Sequence, residues 1–409
     1  MVTANERYLD LQLRYQHRLR RLASRILGRS IELVSLSDKQ LLQRLRRELP
    51  VLRRGKFDFG ARRYLALMDE LEQLRRRDIE QAWGAAIVEI EELAEVTQDK
   101  EEERTLIALP VRIPIKRLAA AAVLSVFAEP FAGGPLDART FPQWLASVQQ
   151  ADNARIRGAV AKGIRDDAKN TLILTYLAGT RGRGFSDGVL AGTRRNMQAV
   201  LASGITHIHN GVSGKLWDNN PAVFKFLQWV SVLDGRTSLI CSGRDGKFAP
   251  LGKNKVPAGL PLLNPPSARP PAHVNCRSVV VPVFDRRGIA GIIGERPFVR
   301  ETVKDEYRQI NFRQDARIFM GDNRWRALTE VQRQRAVDKI RDKWLSDRIG
   351  TVPADVTYDR WLRSQPIAFQ NEVLGRSKAI LFRKGLNIDR FVDRGGRELT
   401  IQELKGLVE

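Results

Sequence analysis

Cysteine and histidine are the scarcest chemistry-bearing residues of this chain, two and four among 409 residues. Two cysteines cannot build a disulfide scaffold. The opening MVTANERYLDLQLRY carries charges where a signal peptide needs an apolar run, which points to assembly in a reducing cytosol. Long apolar runs are missing too. The longest uncharged one is LAAAAVLSVFA, Leu118 to Ala128, well short of the ~20 residues that a membrane-spanning helix needs. It reads as a buried helix or a helix contact, so no membrane segment is expected. The chain holds no GxSxG and no HExxH, and Gly182 and Gly184 in TRGRG match neither the P-loop nor the dinucleotide fingerprint. Negative charge is also short: 47 Asp and Glu face 69 Lys and Arg, a formal +22. Such an excess argues for a polyanionic partner, nucleic acid or an acidic protein surface.

What is present reads as mainly α, with a small α+β cysteine-containing domain in the C-terminal half. The segmentation is 1–110, a basic helical domain with a long helix; 111–225, helical; 226–284, a small β-rich Cys/His segment; and 285–409, basic and helical. Apolar positions from Tyr8 to Leu52 recur at steps of three and four and predict two helices, with Ser35 or Ser37 as the second N-cap and Pro50 as its end. Their other faces are basic, and Arg18, Arg21, Arg25, Arg46, Arg47, Arg53 and Arg54 are candidates for DNA phosphate contacts. With no base-reading motif, any such contact is backbone-directed and salt-sensitive. A further helix runs from Ala61 to about Gln98 and ends in the acidic QDKEEER, read as a solvated end. Pro110 and Pro114 mark the first boundary. Shorter helices fill 140–220, with a break near Gly179, a start at Ser186 or Asp187, and a pair of helices over 181–217. His207 and His209 diverge if helical, which disfavours a shared metal and leaves surface or capping histidines. In 285–350, the DRRG and RPFVR runs precede an amphipathic stretch whose core face is Trp325, Leu328, Val331, Val337, Ile340 and Trp344.

Both cysteines and His273 fall in one segment. WVSVLD alternates as a strand, DGR turns it, TSLIC reads as a returning strand, and Asp245-Gly246 forms a second turn. Seven prolines lie between Pro250 and Pro271, so this connection is irregular and needs pinning by side chains or an ion. Cys241, His273 and Cys276 are three soft ligands suited to zinc, with Asp234, Asp245, His207, His209 or water as a fourth. A Cys241–Cys276 disulfide and two buried thiols are the alternatives. A thiol nucleophile or a metal-dependent nuclease or transferase is conceivable from the same residues, but the rest of such machinery is missing, so the expectation is no enzyme.

The pattern Asp-Gly-Arg-Thr-Ser-x-x-Cys, Asp-Gly, then His-x-Asn-Cys-Arg resembles the phage head morphogenesis proteins, the Mu protein F-like minor head proteins of tailed bacteriophages. It maps onto Asp234, Arg236, Thr237, Cys241, Asp245, Gly246, His273, Asn275, Cys276 and Arg277; Val274 stands where the family usually has proline. Thr357 to Leu404 resembles the tail that many such proteins carry, with Trp361, Phe369, Leu374, Leu381, Phe382 and Phe391 as core candidates. The resemblance implies a low-copy minor capsid protein of the virion, assembled in the host cytoplasm near the portal vertex. Its partners would be the portal protein, the major capsid protein and packaged double-stranded DNA.

Overall fold

The structure is a computed structural model that describes residues 4–54, 57–109, 113–131, 138–284, 295–299, 310–346, 349–353, 355–393 and 396–407. The fold is mainly α with a small three-stranded sheet, as the sequence patterning implies. Its spine is α1 (Ala4–Leu52), one helix of 49 residues where two were expected. Ser37 is buried and caps nothing. Leu19, Ile26, Val34, Leu41, Leu45 and Leu49 form a continuous buried stripe that leaves no reason to break. Pro50 falls in the last turn, so the helix runs only two residues past it.

Helix α2 (Arg62–Ala108) returns antiparallel to α1: Leu41, Leu45 and Leu49 pack with Tyr64, Leu67 and Leu71, while Leu19 and Ile26 pack with Trp83 and Ile90. α2 runs ten residues beyond the expected end at Gln98, and its acidic end is not simply solvated. Asp99 and Glu102 do meet Arg117 at the surface, but Glu101 and Arg104 turn inward and are buried. The apolar run at 118–128 becomes α3 (Ala120–Leu124) and one 3-10 turn. Only Val123 and Val126 of it are buried, so it is a surface brace and not a buried helix.

Two antiparallel companions complete the bundle, α4 (Phe141–Arg165) and α6 (Val189–Asp218), joined through the short α5 (Asn170–Ala178). The break at Gly179 falls as expected. Its φ of +89° and an Asp187 oxygen 2.7 Å from where a Cβ would stand leave no room for a side chain. Asp187 does not cap α6; it accepts from the Thr180 backbone N–H and hydroxyl, closing the loop, and Gly188 takes the cap position. α6 is one helix where a pair was expected. Residues from both sides of the predicted boundary at 110, such as Trp83, Val126, Phe141 and Leu201, share one core.

Two polar networks run through this bundle. Arg75 of α2, 2% exposed, reaches Asp38 of α1 at 2.8 Å and Asp152 of α4 at 2.9 Å. Arg194 of α6 also pairs with Asp38, and Thr193 donates to Asp152. Nearer the sheet, Glu101 accepts from Tyr8, Arg104 and, at 2.8 Å, Ser213. His209 lies beside it, its Nε2 3.2 Å from the Gln12 amide. His207 points elsewhere, onto Val126 O at 2.9 Å and against the Phe131 ring. Both histidines are therefore buried packing residues, not surface or capping ones, and they face different neighbours.

Burial drives the His209 pKa down to about 3; Glu101 opposes the shift and Arg104 adds to it. A folded-state pKa below the unfolded value of about 6.5 means that only the unfolded chain takes up this proton in between, so stability is lost as pH falls. Acid titration of thermal stability should show that loss setting in below about pH 6.5, with a slope near 1.4 kcal/mol per pH unit from this group alone. In His209→Gln, which keeps a partner for Gln12, that component should vanish. An unchanged acid profile would show that His209 does not carry it.

The C-terminal part begins with an antiparallel pair, β4 (Glu295–Val299) and β5 (Ile349–Pro353). Between them, in the helices over 312–346, Trp325 is buried with Arg313 and Arg333 over its ring, at 5.7 and 5.8 Å. Leu328, Val337 and Ile340 are half-buried and Phe312 meets Trp344 edge-on, so this is a core face as expected. DRRG at 285–288 and the side chain of Val331 lie outside the described residues. Farther on, Trp361, Phe369, Leu374, Leu381, Phe382 and Phe391 gather in one core, as expected, and Thr400 with Glu403 makes a capping box.

Candidate metal centre

The cysteine segment is built on β1 (Phe226–Val230), flanked antiparallel by β2 (Phe248–Pro250) and β3 (Val279–Val283). TSLIC is not the returning strand that its Thr and Ile suggest. Ser238 caps a short helix, α7 (Leu239–Arg244), by accepting from the Cys241 N–H, and this outweighs local β propensity. Cys241 thereby sits in the first turn of α7, buried against Trp229 and Val280. The other donors come from a tight turn just before β3, where Cys276 N–H bonds His273 O at 3.1 Å. The turn needs a left-handed residue, and Asn275 supplies it with φ +63° while its N–H donates to Ser203 Oγ on α6.

These two elements bring Cys241 Sγ within 3.2 Å of His273 Nε2 and 3.5 Å of Cys276 Sγ, and all three donor atoms lie within 4.8 Å of one another. Both cysteines are free and buried, 1% and 4% exposed. His273 Nδ1 donates to Val274 O at 2.8 Å, so the Nε2 lone pair faces the sulfurs and Ser238 Oγ, which is 2.7 Å away. The hydrogen bond from Cys241 lowers Cys276 well below an ordinary thiol, with His273 adding to it. The same bond and burial raise Cys241 well above one. Burial alone would lower His273, but the neighbouring Cys276 holds it up.

Asp234 and Asp245, the carboxylates of this segment, do something else. Asp234 takes a bidentate bond from Arg277 at 2.5 and 2.7 Å, the Arg236 N–H at 3.0 Å and the Thr237 hydroxyl at 3.0 Å. Burial would raise its pKa, and Arg277 outweighs that and lowers it. Asp245 takes Arg296 at 2.7 and 2.9 Å, Ser231 N–H at 2.6 Å and Tyr358 N–H at 2.7 Å. Tyr358 also donates its hydroxyl to Asp234 O at 2.8 Å. Gly246 has φ +75° and lies where a Cβ would strike Thr357, so it permits the close approach of the C-terminal part. Both carboxylates are thus filled, and neither they nor His207 and His209 stand among the donors at the cysteine cluster. Arg296 and Tyr358 carry half of this fastening and are invisible to sequence reading, since an arginine in a basic stretch shows no sequence sign of burial.

Among the phosphate candidates, Arg25, Arg46, Arg47 and Arg54 are exposed. None of the four has an acidic partner among the described residues. Arg53 differs from these four: it is half-buried and donates to Ala168 O, Asn170 Oδ1 and Asp167, tying α1 to the α4–α5 loop. The side chains of Arg18 and Arg21 lie outside the described residues. No helix among the described residues is long and apolar enough to cross a membrane. The chain matches none of the family models, curated proteins or solved structures with which it was compared.

Proposed function

We propose that the chain is a minor head protein of a tailed bacteriophage, acting in head morphogenesis beside the portal and major capsid proteins and retained in the virion. The observation that supports this reading is the saturation of the motif by its own chain. Asp234 and Asp245, the motif's own buried carboxylates, bind Arg277 and Arg296 and the backbone of Tyr358. The motif holds together the sheet, the turn at 273–276 and the C-terminal unit. A nuclease or transferase built on the same segment would need an open thiol or a carboxylate left over to work on water; here the thiols are buried and the carboxylates filled. Contact with packaged DNA rests on the +22 charge and on exposed Arg25, Arg46, Arg47 and Arg54.

The test is composition and position. Mass spectrometry of purified heads should find the chain at low copy with the portal and major capsid proteins, and its absence from heads would sink the reading. Duplex DNA should bind at low salt and release as salt rises. Replacing Arg46 and Arg47 with alanine should flatten the log–log salt slope by about 0.9 for each phosphate that is no longer neutralised. No binding at low salt would remove the DNA contact while leaving the head assignment to the first measurement.

A further inference from the structure

We infer that Cys241, His273 and Cys276 bind one zinc ion, with Ser238 Oγ at the fourth corner. The inference stands on the geometry of the cluster and is independent of the head-protein reading. A tetrahedral zinc ion with bonds of about 2.3 Å to sulfur and 2.0 Å to nitrogen separates its donors by about 3.5–3.8 Å. The observed separations, 3.5 Å between the sulfurs and 3.2 Å from Cys241 Sγ to His273 Nε2, are already close to that. The remaining pair, Cys276 Sγ and His273 Nε2, lies within 4.8 Å, so modest side-chain movement would admit the ion.

Three further features fit this ion rather than bare thiols. The first is the orientation of the imidazole: its Nδ1–H is held by a backbone carbonyl, the usual outer partner of a metal-bound histidine, leaving Nε2 as the ligand. The second is the rigidity of both supports. The 273–276 turn is tied to α6 through Ser203 and followed by the Arg277–Asp234 pair, while Cys241 and Ser238 share the first turn of α7. The third is charge. Two thiolates balance one divalent ion, so a Cys-Cys-His-Ser complex is neutral and tolerates the burial that two free thiolates would not. A lone Cys241 without a second cysteine nearby in sequence leaves a gap in the ligand set. Ser238, three residues earlier and 2.7 Å from His273 Nε2, fills it.

The ion would cross-link α7 to the start of β3 and close the proline-rich connection at 250–271 into a loop. The experiment uses the full chain purified without chelator. Elemental analysis should give one zinc per chain, and replacement by cobalt should give sulfur-to-cobalt charge-transfer absorption with intense tetrahedral ligand-field bands. Chelation should release the metal and expose 250–271 to protease. His273→Ala should lose the metal, and Ser238→Ala should weaken it about 10–100-fold. Metal-free protein whose two thiols both react with a thiol reagent, or cobalt spectra without a sulfur band, would overturn the site. Unchanged affinity in Ser238→Ala would overturn the place given to Ser238. Should the variants fail to fold, the wild-type metal content and cobalt spectrum still decide.

Discussion

Asp245→Ala is expected to lose about 3–5 kcal/mol of stability, the cost of removing one partner from a buried ion pair. The carboxylate is buried and serves three groups at once: the Arg296 guanidinium, the N–H that follows β1 at Ser231, and the N–H that opens the C-terminal unit at Tyr358. Alanine would leave the guanidinium charged in a place with no anion and would orphan two backbone donors. The loss should appear as a lower urea midpoint by tryptophan fluorescence, with Trp361 and its core loosening first because Tyr358 is their anchor. Asp245→Asn keeps the shape and should recover only part. If Asp245→Ala costs less than about 1 kcal/mol, in the range of an exposed pair, the carboxylate is not the fastening described.

Arg75→Ala should cost a similar amount in the other half of the molecule, about 3–5 kcal/mol. It removes the one cation that both Asp38 and Asp152 share, leaving Arg194 alone to answer two buried carboxylates. The pH dependence distinguishes this from a simple packing loss. Burial already raises the Asp38 pKa, against the pull of Arg75 and Arg194. Without Arg75 it must rise further. A carboxyl that holds its proton more readily folded than unfolded makes the folded state more favourable as pH falls. The deficit of Arg75→Ala should therefore shrink at acid pH and be largest at neutral pH, when measured as chemical-denaturation midpoints of variant and wild type side by side. A deficit constant with pH would mean that weaker packing of the arginine stem, not the unpaired carboxylates, is responsible.

The helices are legible in the sequence where an apolar stripe repeats, as from Leu19 to Leu49, and the C-terminal core from Trp361 to Phe391 is legible for the same reason. The false break in α1 comes from reading Ser35 and Ser37 locally. A serine can cap a helix or sit buried within one, and only the stripe on its far side decides. TSLIC misleads in the opposite sense: Thr and Ile look like strand, while the Ser238 hydroxyl is the stronger signal. The cysteine cluster is legible because its residues are rare. The identity of its neighbours is not, because Ser238 and Val274 O act through geometry. Charge is the least legible. Arg75, Arg104 and Arg296 look in sequence like the exposed Arg46 and Arg47, and only the fold says which arginines turn inward.

The first turn of α1 has a consequence for how the chain reaches this state. Asn5 accepts from the Phe284 N–H, a partner 279 residues away, and Tyr8 belongs to the core that also holds Trp229, Cys241, Cys276 and Val280. The sheet therefore lacks one wall until a segment made long before it comes back to dock. Contacts that distant in sequence close late, so during synthesis Tyr8 can meet Glu101 and Ala108 of α2 early, while Asn5 and Leu9 wait for partners that emerge more than two hundred residues later. The order of synthesis and the order of closure run opposite ways at this edge. A bulky fusion placed just ahead of Asn5 would meet its penalty in the yield of folded protein before it affected any contact the finished molecule makes.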